Sequence, residues 1–186
     1  MNDTAPENEG WSQWWWLITI PAAVAATEVV MALGPRRWQR QKMFAMAKAR
    51  AAQTGKPLLI IGAPGAGVVN RVLPDYEARD FECLDLDGCP GAGHELKGRA
   101  EDLLPSIATG SRVVFVSCVL EYVDDIDLVV KELRRITGPG NLFVAHVESW
   151  ALAAIVYPGA RRIIVSAPPE SSTISWRPMP WQKKGR

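Results

Sequence analysis

Cysteine and histidine are scarce in this chain, which limits the chemistry open to it. Its 186 residues include three cysteines, Cys83, Cys89 and Cys118, and two histidines, His94 and His146. Three unevenly spaced cysteines do not make a disulfide framework, and the chain is short of the ligands that a zinc site needs. The sequence therefore predicts no metal site, and it favours a reducing compartment for the folded domain.

An excess of charge of one sign is also missing from the chain as a whole. The formal net charge is +1, so no long-range field attracts nucleic acid, and we expect no nucleic-acid partner. The charge is nevertheless uneven, because residues 1–10 contain three acids and no base, whereas residues 36–56 contain seven bases and no acid. Such a difference between neighbouring segments indicates that their surroundings differ.

An apolar run separates these two segments. Residues 14–33, WWWLITIPAAVAATEVVMAL, number 20, and at about 1.5 Å each they would cross a hydrocarbon core of about 30 Å. Tryptophans crowd its first end, and the bases follow its second end. The pattern predicts a single-pass membrane protein with a transmembrane helix over 14–34, residues 1–13 outside and the C-terminal domain cytoplasmic. We expect membrane lipid as a partner, and Glu28 within the span suggests other subunits of a membrane complex as well.

Three other interpretations of the apolar run fit the residues less well. A buried core helix would rarely carry several tryptophans at one end and a basic cluster just past the other. A cleaved signal peptide has its positive charge before the apolar run, and here that side is acidic. An interfacial amphipathic helix has an apolar stripe, whereas the apolar residues here lie all round the helix.

A second helix is predicted over the basic juxtamembrane segment, residues 35–55. Its lysines and arginines would attract anionic lipid at a cytoplasmic leaflet, at about 1 kcal/mol each. A solvated connector helix fits the same residues, and the sequence leaves both interpretations open.

A strand followed by a glycine-rich turn organises the domain predicted over residues 56–167. The apolar residues Leu58–Ile61 predict a strand that is buried on both faces. Gly62, Gly65 and Gly67 then allow a sharp turn and the close approach of a ligand, and the first N–H groups of a following helix would point back at it. Strand, turn and helix predict the nucleotide-binding end of a doubly wound α/β domain with a mostly parallel sheet.

The second predicted strand ends in a carboxylate. It covers residues 81–86, and Asp85 lies 18 residues beyond Gly67, where an acid can accept hydrogen bonds from ribose hydroxyls. Asp87 is the alternative, because a small shift of the strand end exchanges the two. The glycines and Pro90 of the next segment predict a loop as the second crossover.

Strands and helices continue to alternate further along the chain. Strands are predicted at 95–97, 112–118 and 141–147, with a helix that starts near Asp124 between the last two. Glu101 and Asp102 either border an adenine or begin a solvated helix. Alternation of this kind predicts a parallel sheet with right-handed crossovers. Residues 149–157 predict a helix, residues 162–166 a sixth strand, and the proline-bearing tail, residues 168–186, a loop.

The order and spacing of these motifs resemble a class I S-adenosylmethionine-dependent methyltransferase of the type 11 kind. APGAG at 63–67 resembles the GxGxG cofactor turn, LDLDG the ribose segment, and GRAEDLLP the family's GDAEDLP. Residues 113–147 resemble the family's fourth strand, helix and fifth strand. The resemblance implies a Rossmann-like fold with a shortened C-terminal part and S-adenosylmethionine as cofactor. The cofactor-binding residues it implies are Gly62, Ala63, Gly65, Gly67, Asp85, Asp87, Glu101, Asp102 and Ser117.

Several positions depart from the pattern of that family. Isoleucines precede the glycine turn, where the family often has an acid, and Arg99 and Arg112 stand where it has aspartates. Both arginines are expected near the cofactor end of the sheet. No catalytic residue is predicted, although Cys118 and His146 end strands at the edge where ligands bind.

Two functions fit these observations. The first is a membrane-anchored methyltransferase-like enzyme, acting at the cytoplasmic membrane face on a lipid, a quinone-like molecule or a neighbouring protein. The second is a catalytically degenerate methyltransferase fold that serves as an accessory subunit of a membrane complex. A phosphate loop is excluded because Val68 and Val69 replace its Lys and Ser/Thr, and a nicotinamide-binding domain because its GxGxxG spacing is absent.

Overall fold

The computed structural model describes residues 15–33, 35–62, 80–145, 161–166 and 173–178. The chain divides into two compact units, residues 1–37 and residues 38–186.

The first unit contains the helix α1, Trp15–Leu33. The apolar side chains of α1 whose burial the structure describes are exposed, with Trp15, Ile18 and Val30 each more than half exposed. The segment predicted to be transmembrane, residues 14–34, is helical over Trp15–Leu33. No helix among the described residues is long and apolar enough to cross a membrane.

The second unit is built on a five-stranded parallel sheet, as the sequence predicts. Its strands are β1 (Leu58–Ile61), β2 (Glu82–Asp85), β3 (His94–Lys97), β4 (Val113–Ser117) and β5 (Leu142–Ala145). They lie in the order β3-β2-β1-β4-β5, and every neighbouring pair is parallel. The chain therefore winds one way from β1 to β3 and the other way from β4 to β5, which places a switch point between β1 and β4.

One face of the sheet is covered by the helix α2, Pro35–Thr54. Met43, Phe44 and Ala47 fall on one side of this helix, and they are buried against a cluster that includes Ile60 and Phe115. The Phe44 ring centroid lies 5.5 Å from that of Phe115. The basic segment 35–55 is thus an amphipathic helix whose apolar side belongs to the core of the domain.

The direction of α2 follows from two side-chain contacts near its ends. Arg40 donates a hydrogen bond to Cys118, the residue that follows β4. Ten residues later, Arg50 Nε donates to Asn141 Oδ1, immediately before β5, at 2.9 Å. The helix therefore runs from the carboxyl edge of the sheet to its amino edge, and a rise of about 15 Å over ten residues matches a five-residue strand.

The opposite face is covered by the helix α4, Ile126–Thr137. Its apolar residues recur at helical spacing and are buried; they are Ile126, Val129, Val130, Leu133 and Ile136. The N-cap is Asp125, whose Oδ1 accepts from the Leu128 N–H at 3.0 Å. The helix therefore begins two residues after Asp124, near which the sequence predicts its start, and the Asp124 side chain pairs with Arg99 across the loop.

The C-terminal part forms a second, two-stranded sheet. The strand β6, Arg161–Ser166, is the predicted sixth strand, and it pairs antiparallel with β7, Thr173–Pro178. The loop predicted over the whole tail is therefore wrong for residues 173–178. The prolines that favoured a loop flank the strand or end it, while the segment TISW has strong strand propensity. The helix predicted at 149–157 lies outside the described residues.

Candidate functional site

A cleft of about 450 Å³ opens at the carboxyl edge of the sheet, across the ends of β2, β1 and β4. Four of the residues predicted to bind the cofactor line it together: Gly62, Asp85, Glu101 and Ser117. They come together because the carboxyl ends of parallel strands meet at one edge, and the switch point leaves a crevice there. Ala63, Gly65 and Gly67 lie outside the described residues.

Gly62 directly follows β1 and lines the cleft. Its φ is +88°, and its N–H donates to the Leu84 carbonyl at 2.9 Å. A Cβ at this position would lie 2.4 Å from Val119 Cγ2 and 2.5 Å from the Ser117 carbonyl oxygen. Glycine is required here for two reasons, since neither the backbone conformation nor the space admits a side chain.

Asp85 ends β2, and local hydrogen bonds hold its position. Its Oδ1 accepts from the Asp87 N–H at 3.0 Å, while its carbonyl accepts from the N–H groups of Gly88 at 3.2 Å and Gly98 at 3.0 Å. Asp87 is exposed and is not among the residues that line the cleft. Of the two acids that the sequence left open, Asp85 is therefore the one that faces the candidate site.

A disulfide between Cys83 and Cys89 closes the loop that follows β2. Both cysteines are buried. The Cys89 N–H also donates to Glu95 Oε1 at 2.8 Å, which fastens the same loop to β3. The cysteine spacing did not indicate this single disulfide, which forms because the chain turns back after Asp85 and brings residues six apart within bonding reach. The disulfide also removes the argument for a reducing compartment.

Charged side chains bridge the rim of the cleft between the helix α3, Ala100–Leu103, and the loop before α4. Glu101 Oε1 accepts from the backbone N–H of Asp124 at 2.7 Å. Arg99 forms an ion pair with Asp124 and lies 3.7 Å from Glu101 Oε1. The hydrogen bond and charge of Asp124, followed by the charge of Glu101, raise the pKa of Arg99. Asp102 is exposed and is not among the lining residues.

The end of β4 forms the other side of the cleft. Ser117 is buried, and Cys118 adopts a left-handed conformation with φ +55°. Arg40 of α2 reaches this point and also lines the cleft. Burial, followed by the charge of Glu121, raises the pKa of the neighbouring Tyr122 above its ordinary value of 10.0, so its phenol stays protonated at neutral pH.

Sequence reasoning missed Arg40 as a site residue. It belongs to a basic run in which no single arginine stands out, and only the direction of α2 distinguishes it from the others. A helical projection that aligned Arg40 with the buried Phe44, four residues later, would have placed it at one end of the core-facing side.

Arg112 is not in the cleft, so its expected place near the cofactor end of the sheet is wrong. It precedes β4 at the amino edge, and its Nε lies 2.6 Å from Glu82 Oε2. Arg99, by contrast, does line the cleft. His146 lies outside the described residues.

The lining of the cleft is chemically suited to a polar organic molecule. A fixed carboxylate, several backbone groups and apolar walls such as Leu86 and Val119 surround a volume typical of small-molecule pockets. Within the described ranges, no group of three or more metal-ligating side chains is close enough together to hold a metal ion.

Comparison with protein-family models, curated proteins and solved structures found no match to this chain. What is shown is therefore an α/β domain with a parallel five-stranded sheet that is compatible with a Rossmann-like fold.

Proposed function

We propose that the domain binds S-adenosylmethionine in the carboxyl-edge cleft and transfers its methyl group to an acceptor. The observation that carries the proposal is the placement of Asp85. Its carboxylate ends β2 and lines the cleft beside Gly62, the glycine that ends the neighbouring strand β1. In doubly wound domains an acid at this position accepts hydrogen bonds from ribose hydroxyls.

The lining residues fit the parts of such a cofactor. Asp85 would accept from the ribose hydroxyls, the apolar surface of Leu86 would pack on the adenine, and Gly62 would let the backbone approach the chain that carries the sulfur. Ser117 and Val119 form the wall on the β4 side.

The proposed cofactor supplies a methyl group on a sulfonium that is its own leaving group. The chain then needs to orient cofactor and acceptor rather than to supply an acid and a base, because placement contributes most of the acceleration. A cleft without an acid–base pair of fixed geometry is compatible with that requirement.

Calorimetric titration of the full-length protein with S-adenosylhomocysteine tests the proposal. Asp85→Ala should weaken binding at least about tenfold, or about 1.4 kcal/mol, because the ribose loses a charged acceptor. The matched control is Asp87→Ala, which removes an exposed acid two residues away that does not line the cleft. Well-folded wild-type protein that releases no heat with this ligand, or with S-adenosylmethionine, would refute the proposal.

A second candidate function is that of an accessory subunit at a membrane, and the exposure of α1 favours it. Trp15, Trp16 and Ile18 are each more than half exposed within their own unit. We propose that lipid or another subunit covers this apolar surface. The same titration separates the two functions, since a folded chain that takes no adenosine ligand favours the accessory role.

A further inference from the structure

The exposed large apolar side chains of the second unit lie at one edge of its sheet. Among the residues of this unit whose burial the structure describes, they are Trp38, Leu86 and Tyr122, which are 64%, 64% and 37% exposed. Leu86 follows the last residue of β2, Tyr122 belongs to the segment after β4, and both line the cleft. Trp38 lies just before Arg40, whose side chain reaches the end of β4. All three therefore lie at the carboxyl edge, where the cleft opens.

The amino edge of the same sheet has a different surface. The described turns before β1, β4 and β5 are residues 55–57, 108–112 and 138–141, with the sequences GKP, ATGSR and GPGN. These three turns contain no large apolar residue. Exposed apolar side chains that are confined to one edge mark that edge as an interaction surface.

Most of the positive charge on α2 is directed at the domain. Four bases of this helix have side chains that the structure describes, and three of them are engaged by the domain itself. Arg40 and Arg50 donate hydrogen bonds to residues next to the strands, and the Lys48 ammonium lies 5.7 Å from the ring centroid of the buried Phe44. Over its described side chains, the basic composition of α2 therefore does not make its outer side a strongly cationic surface.

The fourth base, Lys42, lies against the exposed tryptophan. Its ammonium is 5.2 Å from the Trp38 ring centroid, and both side chains are exposed. Tryptophan, tyrosine and lysine each combine an apolar body with a polar end, and such side chains favour the boundary between lipid and water. The exposed acids Asp87 and Asp102 lie at the same edge, and they would repel an anionic surface.

The size of the apolar surface favours lipid over a protein partner. Three partly exposed side chains offer roughly 300 Å² of apolar surface, whereas a stable protein interface buries about 800 Å² on each partner. A lipid surface needs no matching shape, and a few inserted side chains are enough when the chain has a second attachment. The exposed apolar helix α1 gives the same chain such an element.

We propose that the carboxyl edge of the domain docks on the surface of a zwitterionic lipid bilayer, with Trp38, Leu86 and Tyr122 inserted among the headgroups. Burial of apolar side chains, and not attraction between charges, holds the edge in place. The docking goes beyond the proposed function and does not depend on which ligand the cleft binds. Only one consequence rests on the proposed function: the methyl acceptor is then an amphiphile that enters the cleft from the lipid.

A nitroxide spin label on the full-length protein, mixed with phosphatidylcholine vesicles, measures this docking. Leu86→Cys carries the label at the mouth of the cleft, and Ala108→Cys, at an exposed position of the amino edge, is the matched control. Both are made together with Cys118→Ser, so that no other free thiol reacts. Oxygen concentrates in lipid, whereas a nickel chelate stays in water. We expect the first label to collide more often with oxygen, and the second more often with the chelate.

Trp38→Gln should lower the ratio of docked to undocked domain at least about tenfold, because an inserted tryptophan buries more than about 100 Å² of apolar surface. The matched control is Ala49→Gln, an exposed position further along the same helix, and it should leave the ratio unchanged. Added anionic lipid or added salt should change the ratio less than about twofold, since charge does not hold the edge. Circular dichroism checks that each variant retains its fold.

Four other results would each overturn the proposal. Labels that both meet only water show that the domain does not dock. A label at position 86 that is shielded from oxygen and chelate alike shows that a protein, such as a second copy of the chain, covers the edge. Docking that requires anionic lipid shows that charge holds the edge, and equal contact of both labels with lipid shows adsorption without orientation. No adenosine ligand is present in this experiment, so none of these results decides the proposed function.

Discussion

Each edge of the parallel sheet carries an arginine at a position where the resembled family has an aspartate, but the two arginines have different surroundings. Arg99 and Arg112 both stand where aspartates are expected. At the carboxyl edge Arg99 lines the cleft and pairs with Asp124, whereas at the amino edge Arg112 pairs with Glu82, away from the cleft. A reversed charge therefore borders the candidate site only at the edge where the switch point opens a crevice.

The backbone at the two edges differs as well. At the carboxyl edge the chain turns through glycine and left-handed residues in close contact, as at Gly62 and Cys118. At the amino edge, Gly110 also has a positive φ, but a side chain there would meet nothing within 4 Å. At the carboxyl edge Gly62 has both a positive φ and closely packed neighbours. At the amino edge Gly110 has the positive φ but open space around it.

The largest expected effect comes from breaking the carboxyl edge at Gly62. Gly62→Ala should destabilise the domain by about 3–5 kcal/mol, since the new Cβ combines a strained φ with contacts that are too short. Gly110→Ala has a similar φ but open space, and it should cost about 1–2 kcal/mol. Urea denaturation measures both. Equal costs would show that the close contact at Gly62 contributes nothing.

An effect of intermediate size is expected from removing the disulfide between Cys83 and Cys89, which closes the loop after β2. Reduction, or the double variant Cys83→Ala with Cys89→Ala, should lower the free energy of unfolding by about 2 kcal/mol, the value expected for so short a closed loop. It should also weaken S-adenosylhomocysteine binding, because Asp85 lies inside that loop. A dithiol reductant should no longer affect the double variant but should still affect Cys118→Ala. Ligand affinity that is independent of the redox state would contradict this role for the loop.

The smallest effect distinguishes the two arginines. Arg112→Ala should lower the free energy of unfolding by about 1 kcal/mol, because it leaves a partly buried Glu82 without its cation, and it should not change ligand affinity. Arg99→Ala should leave the urea midpoint of unfolding unchanged, since the ion pair at the rim is exposed. It should weaken ligand binding, because a side chain that lines the cleft is lost. Urea denaturation measures the stability of both variants, and calorimetry measures their affinity for S-adenosylhomocysteine. The comparison between the edges fails if Arg112→Ala weakens binding as much as Arg99→Ala.

Much of the fold could be predicted because its determinants are local. The apolar run Leu58–Ile61, the helical spacing of the buried residues of α4, and the glycine turn each occupy a short stretch, and the alternation of such stretches indicates a parallel sheet. The strand at 173–178 was missed because neighbouring prolines outweighed a short β-prone segment whose partner lies several residues away. The disulfide was missed because cysteine spacing does not reveal how the loop between two cysteines turns.

The candidate site could be predicted only where its residues come from strand ends. Asp85 and Ser117 end parallel strands, so knowing that the sheet is parallel is enough to place both at its carboxyl edge. Arg40 lies on a helix that is remote in sequence from the rest of the site, and Arg112 precedes its strand rather than following it. Their places depend on which direction an element runs across the sheet.

The amino-acid sequence by itself determined the elements, their alternation and the glycine at the end of the first strand, because these follow from hydrophobic period and backbone freedom within a few residues. Only the tertiary structure decided which acids and bases share the cleft: Asp85 rather than Asp87, Arg99 but not Arg112, and Arg40 from the far face. Those choices depend on contacts between residues up to 91 positions apart, as between Arg50 and Asn141. The packing of the helices on the sheet sets such contacts, and no local pattern encodes them.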